Sequence, residues 1–206
     1  MLSWFSIVIH PDTCLRLVDE STGYGVFATR PIARGTVVWL HDELDQVLSP
    51  AAVASLPAAL RGQAERYGYV NANGDVVLCW DHARYMNHSC EPTTTSIGTL
   101  MEIARRDLEV GDELTCEYGL AHVIERFACL CGAPRCRGTL ESTDLPALWQ
   151  RWDAEAAEAF AWALKVAQPV LAARRLDGPG ALITRALVEH RHLELPSWAD
   201  GVPGGA

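Results

Sequence analysis

The chain has 206 residues, of which 49% are apolar and 21% charged, with a formal net charge of −9. That length suits one domain, or one domain with an appendage, and the apolar share excludes a wholly disordered chain. The acidic balance argues against direct contact with nucleic acid or an anionic membrane, where phosphates call for Lys and Arg, and it fits a basic polypeptide partner.

Residues 2–9 are apolar but lack the basic start and small-residue cleavage site of a signal peptide, and they are too short to span a bilayer. They read as a first strand or a surface-packing segment. No other run reaches transmembrane length, so a cytoplasmic protein is expected. Residues 13–40 read as short strands. Val26-Phe27-Ala28-Thr29 and Thr36-Val37-Val38-Trp39-Leu40 are β-branched and aromatic, and Gly23, Gly25, Pro31 and Gly35 punctuate them. Ser49 followed by Pro50 opens an alanine-rich helical stretch to Arg66, which Pro57 splits in two. Tyr69-Val70 and Val76-Val77-Leu78 flank Asn71-Ala72-Asn73-Gly74-Asp75, a hairpin turn. Residues 97–104 and 113–118 are further strands, joined through a turn at Gly111-Asp112.

From Asp144, a plausible N-cap, the period becomes helical: Leu145, Leu148, Trp149, Trp152, Ala156, Phe160 and Ala163 form one stripe, which Pro169 ends. Trp162 lies off the stripe and is a candidate for a homodimer contact or a substrate-side wall. Leu182, Ile183, Ala186, Leu187 and His190 predict a second helix. The Pro/Gly-rich end from Pro196 is expected to fray.

Two polar constellations stand out. Arg84-Tyr85-Met86-Asn87-His88-Ser89-Cys90 sets an amide, an imidazole, a hydroxyl and a thiol on consecutive residues, which burial does not require. Cys129-Leu130-Cys131-Gly132-Ala133-Pro134-Arg135-Cys136 sets three thiols in eight residues, with Gly132 and Pro134 permitting a sharp turn. Thiolates are soft ligands, and zinc takes four of them in a closed tetrahedral site. Cys90, Cys116 and His122 are candidates for the fourth ligand, with Cys14 and Cys79 behind them.

These pieces, in order, resemble the SET-domain protein-lysine methyltransferases. The resemblance rests on Gly23-Tyr24-Gly25-Val26-Phe27-Ala28, then Arg84 to Pro92, then Gly111-Asp112-Glu113-Leu114-Thr115-Cys116-Glu117-Tyr118-Gly119. Residues 129–138 are similar to the post-SET zinc segment of that family. The closer likeness is to small bacterial SET proteins. The resemblance covers about residues 13–140 and implies a mainly β SET fold of small twisted sheets with a pseudoknot. It divides the chain into a SET domain at 1–124, with its motif-bearing core about 13–120, a post-SET segment at 125–140, and a C-terminal helical extension at 141–206.

The activity so implied is transfer of methyl groups from S-adenosylmethionine to a lysine of a protein substrate. Tyr118 matches the catalytic tyrosine. Gly23, Tyr24, Gly25, Arg84, Asn87 and His88, with Tyr118, match the donor-binding residues. Cys90, now selected by the resemblance, joins Cys129, Cys131 and Cys136 as zinc ligands. Leu130 or Leu140 is a candidate wall beside the donor's adenine. A lysine amine is protonated at neutral pH and cannot attack a methyl group in that form, so an apolar channel that disfavours the ammonium is expected. The alternative is a catalytically weak, zinc-stabilised interaction module on the same fold.

The chain departs from the family pattern at Cys116, where an aromatic side chain is usual; the smaller thiol leaves room for di- or trimethylation. Thr93 and Glu117 stand where Asn and Asp are common, and are expected to be mild changes. The stretch at about 41–80, where the family carries its substrate-recognition insert, is short and alanine-rich, which argues against a dedicated histone reader.

Overall fold

The computed structural model describes residues 9–120, 127–141, 145–171, 180–195 and 197. Among the described residues, twelve short strands fall into four small sheets. β1 (Thr13–Asp19) and β2 (Gly23–Ala28) form a hairpin, and β10 (Glu113–Cys116) lies antiparallel to β2 and parallel to β7 (Asn87–His88). β3 (Val37–Leu40), β8 (Thr94–Ile97) and β9 (Met101–Ala104) make a second sheet in the order β3-β9-β8. β4 (Gln46–Leu48), β5 (Tyr69–Val70) and β6 (Val76–Leu78) make a third, and β11 (Phe127–Ala128) pairs with β12 (Thr139–Leu140).

Local chemistry sets the helices between β4 and β5. The Ser49 hydroxyl accepts from the Ala52 amide and Pro50 opens α1 (Pro50–Ser55). Pro57 then stands as the N-cap of α2 (Ala58–Tyr67), so the predicted split occurs there. The Asn71 side chain accepts from the amides of Asn73 and Asp75, which closes the β5–β6 turn.

Three expectations change. Residues 97–104 are not one strand: Gly98, at φ +56°, turns the chain so that β8 and β9 pair as a hairpin. The strand predicted to run to Tyr118 stops at Cys116. The Tyr118 amide donates to His88 Nδ1 and the Gly119 amide to Glu117, so side chains capture the donors a ladder would use, and Tyr118–Leu120 form a 3₁₀ turn. α3 (Leu145–Ala163) ends before Pro169, where the Gln168 amide group donates to the carbonyls of Ala163 and Gly35. Residues 2–8, His122, Asp144 and Pro196 lie outside the described residues.

One core gathers Val26, Ile32, Trp39, Tyr69, Leu108 and Leu114 between the first and second sheets. A second joins Val37, Ile97, Met101 and Ile103 to Ala156, Phe160 and Ala163 of α3 and to Ile183 and Leu187 of α4 (Ala181–Val188). The predicted helical stripe is therefore the face laid on the second sheet. Trp152 is buried, while Trp162 is half-exposed between the guanidinium of Arg34, 4.8 Å from its ring centroid, and Lys165 Nζ at 4.9 Å. Among the described residues no helix is long and apolar enough to cross a membrane.

Candidate active site and metal centre

β10 is the strand on which the site is assembled. Its parallel pairing sets Thr115 opposite Asn87 and Cys116 opposite His88, and the Ser89 amide donates to the Cys116 carbonyl at 3.1 Å. Motifs some thirty residues apart thus share one edge. Thr93 reinforces the join: its hydroxyl donates to the Glu113 carbonyl at 3.0 Å and accepts from the Thr115 amide at 2.8 Å.

Tyr118 follows directly. Its hydroxyl donates to the Met86 carbonyl at 2.7 Å, and its amide donates to His88 Nδ1 at 3.1 Å. Burial pushes the phenol well above its ordinary range, with the nearby Cys116 and Glu113 adding to the rise. Tyr118 and Cys116 both line a narrow cavity with Trp39, Tyr67, Tyr69 and Met101. Burial pushes the Cys116 thiol up as well. Cys116 therefore belongs to the cavity and not to the cysteine cluster.

Arg84, of the residues matched to the donor, also lines this cavity, with its Nε donating to the Asp81 carbonyl at 3.3 Å. Asn87 lies on the other side of the strand pair: its Nδ2 donates to the Tyr24 carbonyl at 3.1 Å and to Glu113 Oε1 at 2.8 Å. It thereby ties Gly23-Tyr24-Gly25 to β10. A Cβ at Gly25 would fall 2.4 Å from that Glu113 oxygen and 3.0 Å from Asn87 Nδ2, so close approach requires glycine there. Gly23 has φ +84°, and a Cβ on it would meet within 4 Å only Arg66 Nη2, at 3.9 Å. The half-exposed Tyr24 ring meets Tyr85 edge to face.

The sulfurs converge. His88, Cys90, Cys129 and Cys131 present ligand atoms that all lie within 4.8 Å of one another. Cys90 Sγ is 3.8 Å from Cys129 Sγ, and Cys136 shares thiol hydrogen bonds with Cys129 and Cys131. The Arg137 amide donates to Cys90 Sγ at 3.3 Å, the Cys90 amide to Cys131 Sγ at 3.5 Å, and the Gly138 amide to Cys136 Sγ at 3.4 Å. Burial pushes the Cys90 and Cys129 thiols up; at Cys131, amide donors from Cys90 and Ala133 overcome burial and lower the thiol to about 7. Three crowded thiols with His88, ringed by amide donors, fit a thiophilic cation; the expected ligand Cys136 lies beside Cys129 and Cys131 but outside that compact set.

His88 bridges the two halves. Because Nδ1 accepts from the Tyr118 amide, the ring proton sits on Nε2, which faces Cys90 Sγ at 3.3 Å. Glu117 lies 3.6 Å from the same Nδ1 and binds the Arg137 guanidinium at 2.6 Å. Burial raises its carboxyl against the pull of Arg137. Leu140 is buried among the cysteines, while Leu130 is among the most exposed apolar side chains.

The sequence did not single out several cavity residues, among them Arg66, which ended a helical stretch, and Tyr69, which read as a strand residue. Glu102 carried a signal, a carboxylate inside the apolar run Leu100-Met101-Glu102-Ile103-Ala104, which marks a buried charge needing a reason.

Known proteins are similar to this chain over the span that carries the site. A family model described as the SET domain matches residues 23–119. The histone-lysine N-methyltransferase ATX2 of Arabidopsis thaliana is 30% identical over 139 residues, covering 59% of this chain and 12% of that protein. The histone-lysine N-methyltransferase ash1 of Drosophila melanogaster is 26% identical over 138 residues, covering 61% of this chain and 6% of that protein. The chain thus spans a small part of the length of these relatives. Among solved structures, KRYPTONITE in complex with mCHG DNA and SAH is similar at TM-score 0.43 and 22% identity, over 59% of this chain and 27% of that one. The methyltransferase domain of human SETMAR is similar at TM-score 0.42 and 18% identity, over 59% and 55%. The matched span, Gly23 to Gly119, carries the three motifs in order, so this part of the chain is similar to the SET domain.

Proposed function

We propose that the chain transfers methyl groups from S-adenosylmethionine to a lysine side chain of a protein substrate. The observation that carries this reading is the placement of Tyr118, whose hydroxyl is held by the Met86 carbonyl at the wall of an aromatic cavity. S-adenosylmethionine, when bound, supplies an electron-poor methyl group. With its proton engaged by Met86, the Tyr118 oxygen keeps lone pairs for weak C–H contacts and for the entering amine. Burial raises its pKa and favours the protonated phenol, so the role that fits Tyr118 is to orient the reactants. The aromatic and apolar side chains of the lining, Trp39, Tyr67, Tyr69 and Met101 among them, exclude water from the amine.

The residues present fit the donor. Gly23 leaves room for close backbone approach, Asn87 fixes the loop, and the Arg84 and Arg66 guanidiniums at the cavity suit a carboxylate. Cys90, Cys129, Cys131 and Cys136 would hold a zinc ion; a four-thiolate site is closed, so its role is to fasten the segment at 129–140 to the donor side of the domain. His88 would act there as an N–H donor to the Cys90 sulfur, which leaves the four thiols as the ligand set. The substrate would be a basic protein, given the acidic chain. Trp162 is already stacked between two cations of its own chain, so a homodimer through the C-terminal helices is the weaker use of that surface.

Calorimetry with S-adenosylmethionine tests the first half of the reading; absence of binding would sink it. The second half is tested with labelled donor and a mixture of core histones, read by intact mass. Tyr118→Phe should lower methyl transfer about 100-fold or more, with donor affinity within a few-fold. Lys165 is the chain's single lysine, so self-methylation of a side chain should appear there and vanish in Lys165→Arg.

A further inference from the structure

Glu102 is a carboxylate with no part in the roles proposed for Tyr118 and the donor-binding residues. It sits on β9, is 8% exposed, and lines the same cavity as Tyr118 and Cys116. Its Oε2 accepts from the Thr94 hydroxyl at 2.5 Å and its Oε1 from the Ser96 hydroxyl, so two β8 side chains hold the group in a fixed orientation. Cys116 of β10 and Tyr69 of β5 line the same cavity. A buried carboxylate with neither an Arg nor a Lys among its hydrogen-bond partners is costly, and perturbed groups of that kind cluster at functional sites.

We propose that Glu102 is a catalytic residue: its carboxylate receives the substrate's ε-ammonium in the cavity and accepts one of its protons. The proposal rests on the methyltransferase reading. In this step an N–H bond of the ammonium breaks and an O–H bond forms on Glu102, and the nitrogen keeps the electron pair needed for attack. The methylated nitrogen leaves as a cation and Glu102 returns the proton to water, so one proton is released per methyl transferred.

The other groups facing the cavity do not serve. Tyr118, Tyr69, Cys116 and Cys79 are all pushed up by burial and hold their protons. Glu117 is bound to Arg137 and to the Gly119 amide. The guanidiniums of Arg66 and Arg84 are donors with no acceptor atom, and Tyr67 meets Tyr85 edge to face. Burial lifts Glu102 to about 7 against its two hydroxyl donors, which suits a group that takes and returns a proton near neutrality.

The test uses the full chain and n-butylammonium, a lysine side chain without its backbone. With glutamate carboxyls labelled in ¹³C, the Glu102 titration is followed by NMR in wild type, with and without saturating butylammonium. Its pKa should fall by about one unit, because a bound cation favours the ionised form. Calorimetry should show butylammonium bound about tenfold more weakly by Glu102→Gln, with S-adenosylmethionine affinity unchanged. An unmoved Glu102 pKa, or equal butylammonium affinity in the two proteins, overturns the proposal and leaves the methyltransferase reading intact where the donor still binds. Failure of wild type to bind S-adenosylmethionine overturns both. The wild-type titration stands by itself if the variant does not fold.

Discussion

Cys116 illustrates how much one side chain decides. It stands on the last residue of β10, at the cavity wall beside Tyr118, where a thiol occupies far less volume than an aromatic ring. Cys116→Phe should therefore shift product toward monomethyl-lysine, seen by mass spectrometry of the histone probe; an unchanged product distribution would show that the space is set elsewhere. The residue was legible in the sequence because it broke a motif. Glu102 was harder to read, since its meaning depends on Thr94 and Ser96 lying across a hairpin that one-strand reasoning over residues 97–104 did not contain.

At the scale of elements, the parallel pairing of β7 with β10 joins the cysteine cluster to the tyrosine. Cys90 lies two residues beyond β7, and His88 links its sulfur to the Tyr118 amide. Cys90→Ser should lower zinc content measured by atomic absorption and weaken S-adenosylmethionine binding in the same sample, with a chelator reproducing both losses in wild type. Zinc loss with unaltered donor affinity would disconnect the two. A second element-level join lies at Gly35, at φ +86°, where a Cβ would fall 2.6 Å from the Trp162 carbonyl carbon. Gly35→Ala combines backbone strain with overpacking between the turn before β3 and the end of α3, so it should cost about 2–4 kcal/mol, read as a lower denaturation midpoint. The capping and turn signals at Ser49, Pro57 and Asn71 were legible because they act within a few residues. The end of β10 was not, because His88, thirty residues away, takes the Tyr118 amide.

For the whole molecule, the helices α3 and α4 share one core with β3, β8 and β9, so the C-terminal segment bears on the sheet that carries Glu102. Protonation of that carboxylate is coupled to stability. Its pKa rises from 4.5 unfolded to about 7 folded, so between those values the native state holds more protons than the unfolded state. Stability from this group is full below about pH 4.5 and is lost as pH rises toward 7, by up to about 3 kcal/mol. Glu102→Gln should remove that slope, measured as the difference between the two proteins' urea midpoints at pH 5 and 7.5; parallel curves would show that the carboxyl is not perturbed.

The sequence by itself determined the resemblance to the SET domain, the order of the motifs, the cysteine spacing and the amphipathic face of α3, because these are properties of residues near one another in the chain. Only the tertiary structure decided that Cys116 faces the cavity and Cys90 the cysteines, that His88 gives one nitrogen to each half of the site, and that a lone glutamate in an apolar strand has two hydroxyl partners. Those facts depend on which strands become neighbours, and a pairing between distant segments is set by the burial of the whole core rather than by the local pattern of either one.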